Sequence, residues 1–222
     1  LSMLALVWLL ISIFNVGTPA FRQTFLTMPI ELPEAKLDKS GTRDPAVMSK
    51  VTTVGYASVI QAALTKAIKE KGISTEGMTP KDIAGIVSLE APAQLRNHVL
   101  ANPDLVGQTI DFEILANGRV DGFFKGRVTM ESAKLDSNIK PEQLVLAQSL
   151  VEAGIMAQRF NWGFITAPDA SDQRPEAAGL GVAIIGSFYM MIVVLVLSLP
   201  IGVAASVYLE EFAPKNRLTD LI

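Results

Sequence analysis

The sequence predicts a membrane protein, mainly α-helical, with two transmembrane helices flanking a small α+β domain that contains a β-hairpin. Three observations carry this reading. Residues 177–209 contain no Asp, Glu, Lys, Arg or His, and residues 1–21 form a second uncharged, mostly apolar run. Between them, residues 22–176 hold 17 Lys and Arg against 19 Asp and Glu, a net of −2, which is the balance of a water-soluble domain. Across all 222 residues only 18% are charged and mean hydropathy is +0.36, where a soluble domain carries about a quarter charged residues. The deficit lies in the two runs, so composition excludes a fully soluble protein and, for this stretch of chain, a polytopic bundle. No excess of Lys and Arg exists to hold phosphates, which excludes nucleic acid as a partner. Cysteine is absent. That rules out disulfides, thiolate catalysis and Cys-type zinc sites, and it fits an extracytoplasmic location.

Crossing about 30 Å of hydrocarbon takes roughly 20 helical residues. The first run, LSMLALVWLLISIFNVGTPAF (residues 1–21), is just long enough, and Arg22 is its polar stop. A secretory signal peptide is the competing reading, with Gly17-Thr18-Pro19-Ala20 as the small-residue site. Such peptides have apolar regions of about 7–15 residues behind a basic front. This run is longer and no basic front precedes it, so we expect a retained membrane helix. The sequence opens at Leu1 inside that run and closes at Ile222 in LTDLI, and it reads as a fragment of a longer protein.

Residues 22–176 read as a periplasmic α+β domain. Its first segment, to about residue 50, is Pro-rich and polar and predicts a spacer. Helical spacing of Val59, Ala62, Ala63 and Ala67 predicts a helix over 54–70, stopped by Gly72. Thr79-Pro80 predicts an N-cap followed by a first-turn proline. A further helix over 92–101 ends at Asn102-Pro103. Ile110, Phe112 and Ile114 alternate with Asp111 and Glu113, the period of a half-buried strand. Asn117-Gly118 predicts a type I′ turn and residues 120–129 a return strand, hence the hairpin. Pro141 opens a helix to about Arg159, with Leu144, Leu146, Leu150, Val151, Ile155 and Met156 as its apolar set. Residues 161–179 form a turn-rich lead-in.

Residues 177–209 form the second membrane helix, long enough for tilt to absorb the excess. Pro200 lies inside it, which is tolerated where neighbouring helices satisfy the freed carbonyl. Ser198, Gly202 and Ser206 recur every four residues, and Ala183 and Ser187 repeat the spacing. Small residues on one face let helices approach closely; they are also common in membrane helices generally, and both readings stay open. Lys215 and Arg217 follow the helix, whereas Arg174 alone precedes it. The positive-inside rule then puts residues 210–222, the start of a further segment, in the cytoplasm and residues 22–176 outside it.

Chemistry is sparse. The single histidine, His98, reads as a surface residue. Asp111 with Glu113, and Glu210 with Glu211, are pairs expected to face solvent rather than to split their pKa values for acid/base work. There is no phosphate-binding GxxxxGK[ST] loop, and Gly179-Leu180-Gly181 is too short for a dinucleotide fingerprint. Gly122, Lys125, Gly126 and Arg127 could cradle an anion, but a hairpin with basic surface residues is the simpler account. Phe123 and Phe124 divide between core and surface. No residue receives a catalytic role, and no cofactor or metal is expected.

The segment GVAIIGSFYMMIVVLVLSLPIGVAASVYLEEFAPKNRLTDLI (residues 181–222) resembles the start of the permease core of bacterial phosphate ABC importers, the PstA type. The match is densest at LPIGVAA (residues 199–205) and YLEEFAPKNR (residues 208–217), where Tyr208, Glu210, Glu211, Pro214, Lys215 and Arg217 carry the family label. Tyr189-Met190 departs from the Leu-Thr of many members. The upstream region is similar to a longer branch of the family in which a membrane helix and a periplasmic domain precede the core. The resemblance implies an inner-membrane subunit paired with a homologous second permease subunit. It also implies ATPase subunits on a later coupling loop and a periplasmic phosphate-binding protein that delivers cargo. Pathway residues belong to later helices, so none transfers here. Pro200 and Gly202 match family positions and take a packing role with Ser198 and Ser206.

The implied function is transport of inorganic phosphate by a non-catalytic subunit, with ATP hydrolysis on a partner. A transmembrane receptor with a periplasmic sensor domain has the same plan, but receptors continue into long heptad helices, whereas Pro214 soon follows this apolar run. A membrane-anchored binding module would need a site within residues 22–176, and none is visible in the sequence.

Overall fold

The computed structural model describes residues 2–170 and 174–212. An apolar helix α1 (Ser2–Gly17) and a 3-10 turn (Thr18–Phe21) lead directly into strand β1 (Arg22–Glu31). Short helices α2 (Glu34–Leu37) and α3 (Pro45–Met48) precede the long α4 (Thr53–Glu70), then α5 (Pro80–Ala84) and α6 (Ala91–Ala101). Strand β2 (Thr109–Leu115), helices α7 (Gly118–Phe124), α8 (Met130–Leu135) and α9 (Pro141–Glu152), and strand β3 (Met156–Phe160) complete the domain. A single turn α10 (Gly163–Thr166) leads to the second apolar helix α11 (Gly181–Val207). The described residues are 62% helical with one small sheet, mainly α with an apolar helix at each end, compatible with the expected layout.

The sheet corrects two readings of the sequence. Residues 22–31 are its central strand, not a spacer: β1 pairs antiparallel with β2 on one side and β3 on the other. Thr24, Leu26, Met28 and Ile30 are buried at every second position, the signature of one strand face turned to a core. Pro29 hid it, because proline is confined to edge strands. Here β3 pairs with β1 only over Arg22–Leu26. Thr27 still donates its N–H to Ile155 O at 2.8 Å. Alternate residues point the same way, so the Pro29 nitrogen faces the side that β3 no longer flanks, and no ladder bond is lost.

The predicted hairpin does not form. Asn117 has φ −56°, whereas a type I′ turn needs positive φ, and its side chain accepts from Arg119 N–H at 2.8 Å as the N-cap of α7. Residues 118–124 are therefore helix, and β2 pairs with β1 instead of a return strand. Val120 of α7 is fully buried, and Phe123 and Phe124 both lie half-buried against the core rather than dividing between core and surface. The last helix before the lead-in is also shorter than expected. It ends at Glu152, Gly154 turns the chain at φ 75°, and Ile155 and Met156 enter the core from the start of β3.

Helices α4 and α6 fall where expected. Tyr56, Val59, Ile60, Ala63, Leu64, Ala67 and Ile68 of α4 pack toward the sheet, while Ala62 is exposed. Leu95 and Val99 of α6 and Leu144, Leu146, Ala147 and Leu150 of α9 close the core. The Thr79 cap of α5 is a full capping box with Asp82. The Asp82 carboxylate also meets Lys140 Nζ at 2.8 Å, which ties α5 to the start of α9. That ammonium and the two hydrogen bonds from Thr79 lower the Asp82 pKa from 3.8 to about 2.

A depressed carboxylate pKa contributes stability above the ordinary value and loses it as pH falls through the folded one. The urea midpoint of the full chain in detergent micelles should therefore drop between pH 3.8 and about 2. In Asp82→Asn the drop should be shallower. Equal slopes in parent and variant would show that the α5–α9 tie contributes nothing.

Candidate functional site

Two outward-facing apolar surfaces dominate the molecule. α11 has 27 residues and is about 40 Å long at ~1.5 Å per residue, more than the ~30 Å hydrocarbon layer. Every residue from Val182 to Tyr208 is exposed. α1 adds 16 residues, extended by the turn Thr18–Phe21, and its large side chains from Met3 to Val16 also face outward. The stretches Met3–Phe21 and Gly181–Phe212 are long and apolar enough to cross a membrane, and none of their most apolar portion is buried by the domain. Buried core helices of soluble proteins pass the same length test, but these two are not buried.

Within α11, Ser198, Gly202 and Ser206 line one face at four-residue spacing, and all three are exposed. A side chain at Gly202 would meet nothing within 4 Å. The helix continues through Pro200 to Val207 and then widens to a π turn over Tyr208–Phe212, which contains Tyr208, Glu210 and Glu211, all exposed. Pro214, Lys215 and Arg217 lie outside the described residues.

Both apolar helices are anchored at one end of the sheet. Arg22, directly after Phe21, pairs with Phe160, and Asn161 donates its N–H to Phe21 O at 2.8 Å. On the other side, Leu180 N–H reaches Phe164 O at 2.7 Å and Gly181 N–H reaches Ala167 O at 3.0 Å. A Cβ at Gly179 or Gly181 would sit 2.4 Å from a carbonyl oxygen of Ala167 or Thr166. The Gly-Leu-Gly sequence thus serves close backbone approach, which seats the first turn of α11 on α10.

A buried polar seam holds that end together. Glu176, in the 3-10 turn Pro175–Ala177, accepts from Ser88 Oγ at 2.6 Å through its carboxylate and from Gln23 Nε2 at 3.2 Å through its carbonyl. Its other carboxylate oxygen lies so near Gly118 that a Cβ there would come within 2.8 Å. Arg174, two residues earlier, pairs with Glu90. Beside this, Asp121 of α7 accepts from the Thr24 amide (2.9 Å) and hydroxyl (3.0 Å), and Lys125 Nζ sits 2.5 Å from its second oxygen with both side chains about 5% exposed or less. Arg127 adds a 3.9 Å contact and is itself exposed. The anion cradle suggested around Gly122 and Gly126 is therefore occupied by the chain's own aspartate.

The other candidates are dispersed. His98 is exposed beside Phe112 at 5.3 Å. Asp111 and Glu113 are exposed, and Glu113 pairs with Arg159 at 3.2 Å. Among the described residues no three His, Cys, Asp or Glu side chains are grouped to hold a metal. Reasoning from sequence missed Thr24, Ser88, Asp121 and Glu176, because residues so far apart in the chain carry no shared periodicity.

A family model described as a domain of unknown function (DUF3333) matches residues 1–134, more than half of the chain. The chain belongs to the DUF3333 family. The DUF3333 match takes in α1, two of the three strands and the polar seam as far as Asp121 and Lys125, and it stops before β3, Glu176 and α11. Separately, a 48-residue stretch is 38% identical to the "Probable ABC transporter permease protein YqgI" of Bacillus subtilis (strain 168). That stretch is 21% of this chain and 16% of the relative, so the match spans about a sixth of that protein. It suggests a permease-like membrane protein. No solved structure matches the DUF3333 chain.

Removing Asp121 leaves the Lys125 ammonium buried without a partner, a loss of about 3–5 kcal/mol. Asp121→Ala should lower the urea midpoint of the full chain accordingly, while Arg127→Ala, at an exposed cation, should stay within about 0.5 kcal/mol. Similar midpoints for both variants would mean that the seam does not hold the base of the domain.

Proposed function

We propose that this chain is part of the permease subunit of an ATP-driven importer of inorganic phosphate. The observation that supports it best is α11, an exposed apolar helix of 27 residues that runs directly into Tyr208, Glu210 and Glu211. There the sequence resembles the phosphate permease core, and the 48-residue similarity to an ABC transporter permease protein agrees in kind. On this reading α1 and α11 cross the bacterial inner membrane, and residues 22–176 lie in the periplasm. Ser198, Pro200, Gly202 and Ser206 pack against helices of this subunit and of a homologous second permease subunit. Lys215 and Arg217 stay on the cytoplasmic side, near the ATPase subunits.

The chain does no chemistry of its own. ATP binding on the partner subunits drives rigid-body motion of the helix bundles, and a periplasmic phosphate-binding protein delivers the anion. The contribution of these residues is mechanical. Backbone bonds at Leu180 and Gly181 and the Glu176 seam make the periplasmic domain move with α11 rather than on a tether.

Cells expressing the full gene with its partner subunits should accumulate labelled phosphate. Unlabelled phosphate should compete, and deletion of the gene should abolish the uptake. If phosphate neither enters nor competes, the reading is wrong. The departure of both apolar helices from one end of the domain equally suits a transmembrane receptor with an external sensor domain, for which deletion would leave uptake unchanged.

A further inference from the structure

Phe21, Phe160, Trp162 and Phe164 form an aromatic collar between the two apolar helices. Phe21 stacks on Phe160 with ring centroids 6.0 Å apart and meets Phe164 edge-on at 5.4 Å, and Phe160 meets Trp162 at 4.7 Å. The collar touches both helix ends: Phe21 closes the turn after α1, and the Phe164 carbonyl accepts from Leu180, one residue before α11. Its outer members stay open, with Trp162 73% and Phe160 46% exposed. Arg22 is exposed at the start of β1, while Arg159, also exposed, reaches along the sheet to Glu113 at 3.2 Å.

Two features identify the occupant of this surface. The collar is continuous with the two apolar surfaces, with no spacer, since β1 begins at the residue after Phe21. Its composition suits the headgroup layer, where tryptophan is enriched, phenylalanine rings enter the apolar side of the boundary and an arginine can reach the lipid phosphates.

We propose that this collar is seated in the lipid headgroup layer, so that the domain rests directly on the bilayer with the Arg22–Phe160 end of its sheet against the membrane. The proposal builds on the membrane-spanning reading of α1 and α11 and adds a fixed depth and orientation for the domain. Arg22 then faces lipid phosphates, and the opposite end of β1, at Glu31, lies about 30 Å away at ~3.3 Å per residue.

The 222 residues contain two tryptophans, Trp8 and Trp162, so in a polypeptide of these residues Trp8→Phe leaves Trp162 as the sole reporter. This variant is reconstituted in phosphatidylcholine vesicles whose lipids are brominated either near the headgroup or near the chain ends. Headgroup-proximal bromine should quench Trp162 by roughly half, as for a ring at the boundary layer, and chain-end bromine should do so much less. Aqueous acrylamide should reach it weakly. Acrylamide-accessible emission that neither lipid quenches overturns the proposal, and so does emission shielded from both quenchers, which would signify a protein partner. A second variant, Trp8→Phe/Trp162→Phe/Leu195→Trp, reports the middle of α11. If chain-end bromine quenches Trp at 195 but neither lipid touches Trp162, the helix spans and only the collar proposal falls. If Trp at 195 is unquenched, the spanning reading falls and the proposal with it.

Discussion

Arg22 at the start of β1 lies opposite Phe160 at the end of β3. One is the first residue after the turn that closes α1, and the other precedes the short α10 turn that receives α11. Antiparallel strands bring the beginning of one to the end of the other, so the pairing of β1 with β3 gathers both apolar helices at a single end of the domain. Had the two strands run parallel, the helices would leave from opposite ends, and a membrane could not accept both without crossing the domain. This pairing is long-range, joining residues 22–26 to 156–160, and the rest of the domain is built around it.

The attachment is stiff as well as placed. Buried hydrogen bonds each contribute about 1 kcal/mol, and a buried group that loses its partner costs more. Glu176 and Asp121 between them hold Gln23, Thr24, Ser88 and Lys125. Two of these, Gln23 and Thr24, sit at the start of the central strand, next to the turn that closes α1. Gly179 and Gly181 add a backbone contact that no larger residue would allow. A domain fastened in this way passes displacement to α11 directly.

The regularity of α11 contrasts with the irregular domain. Pro200 removes one intrahelical N–H donor, and the helix nevertheless continues to Val207 before it widens over Tyr208–Phe212. Both irregularities fall in the half of the helix farthest from the domain, beside the small-residue face at Ser198, Gly202 and Ser206. The half nearest the domain, from Gly181, follows the seat that α10 provides.

Much of this was legible in the sequence. The two uncharged runs, α4, α6, the Thr79 cap and β2 were all recoverable, since each rests on local signals: hydrophobic period, capping chemistry or the absence of charge. The period of β1 was also present in Thr24, Leu26, Met28 and Ile30, but Pro29 argues against a central strand until it is known how far β3 runs. Asn117-Gly118 is a turn or a helix cap depending on whether β2 finds its partner next in sequence or nearly ninety positions earlier, in β1. The seam at Glu176 and Asp121 and the collar around Trp162 left no local trace. The sequence by itself determined which segments are apolar enough to leave water and which helices form, because those depend on near neighbours. Only the tertiary structure decided which strands pair, where the buried charges find partners and from which end the apolar helices depart, because those depend on residues brought together from distant parts of the chain.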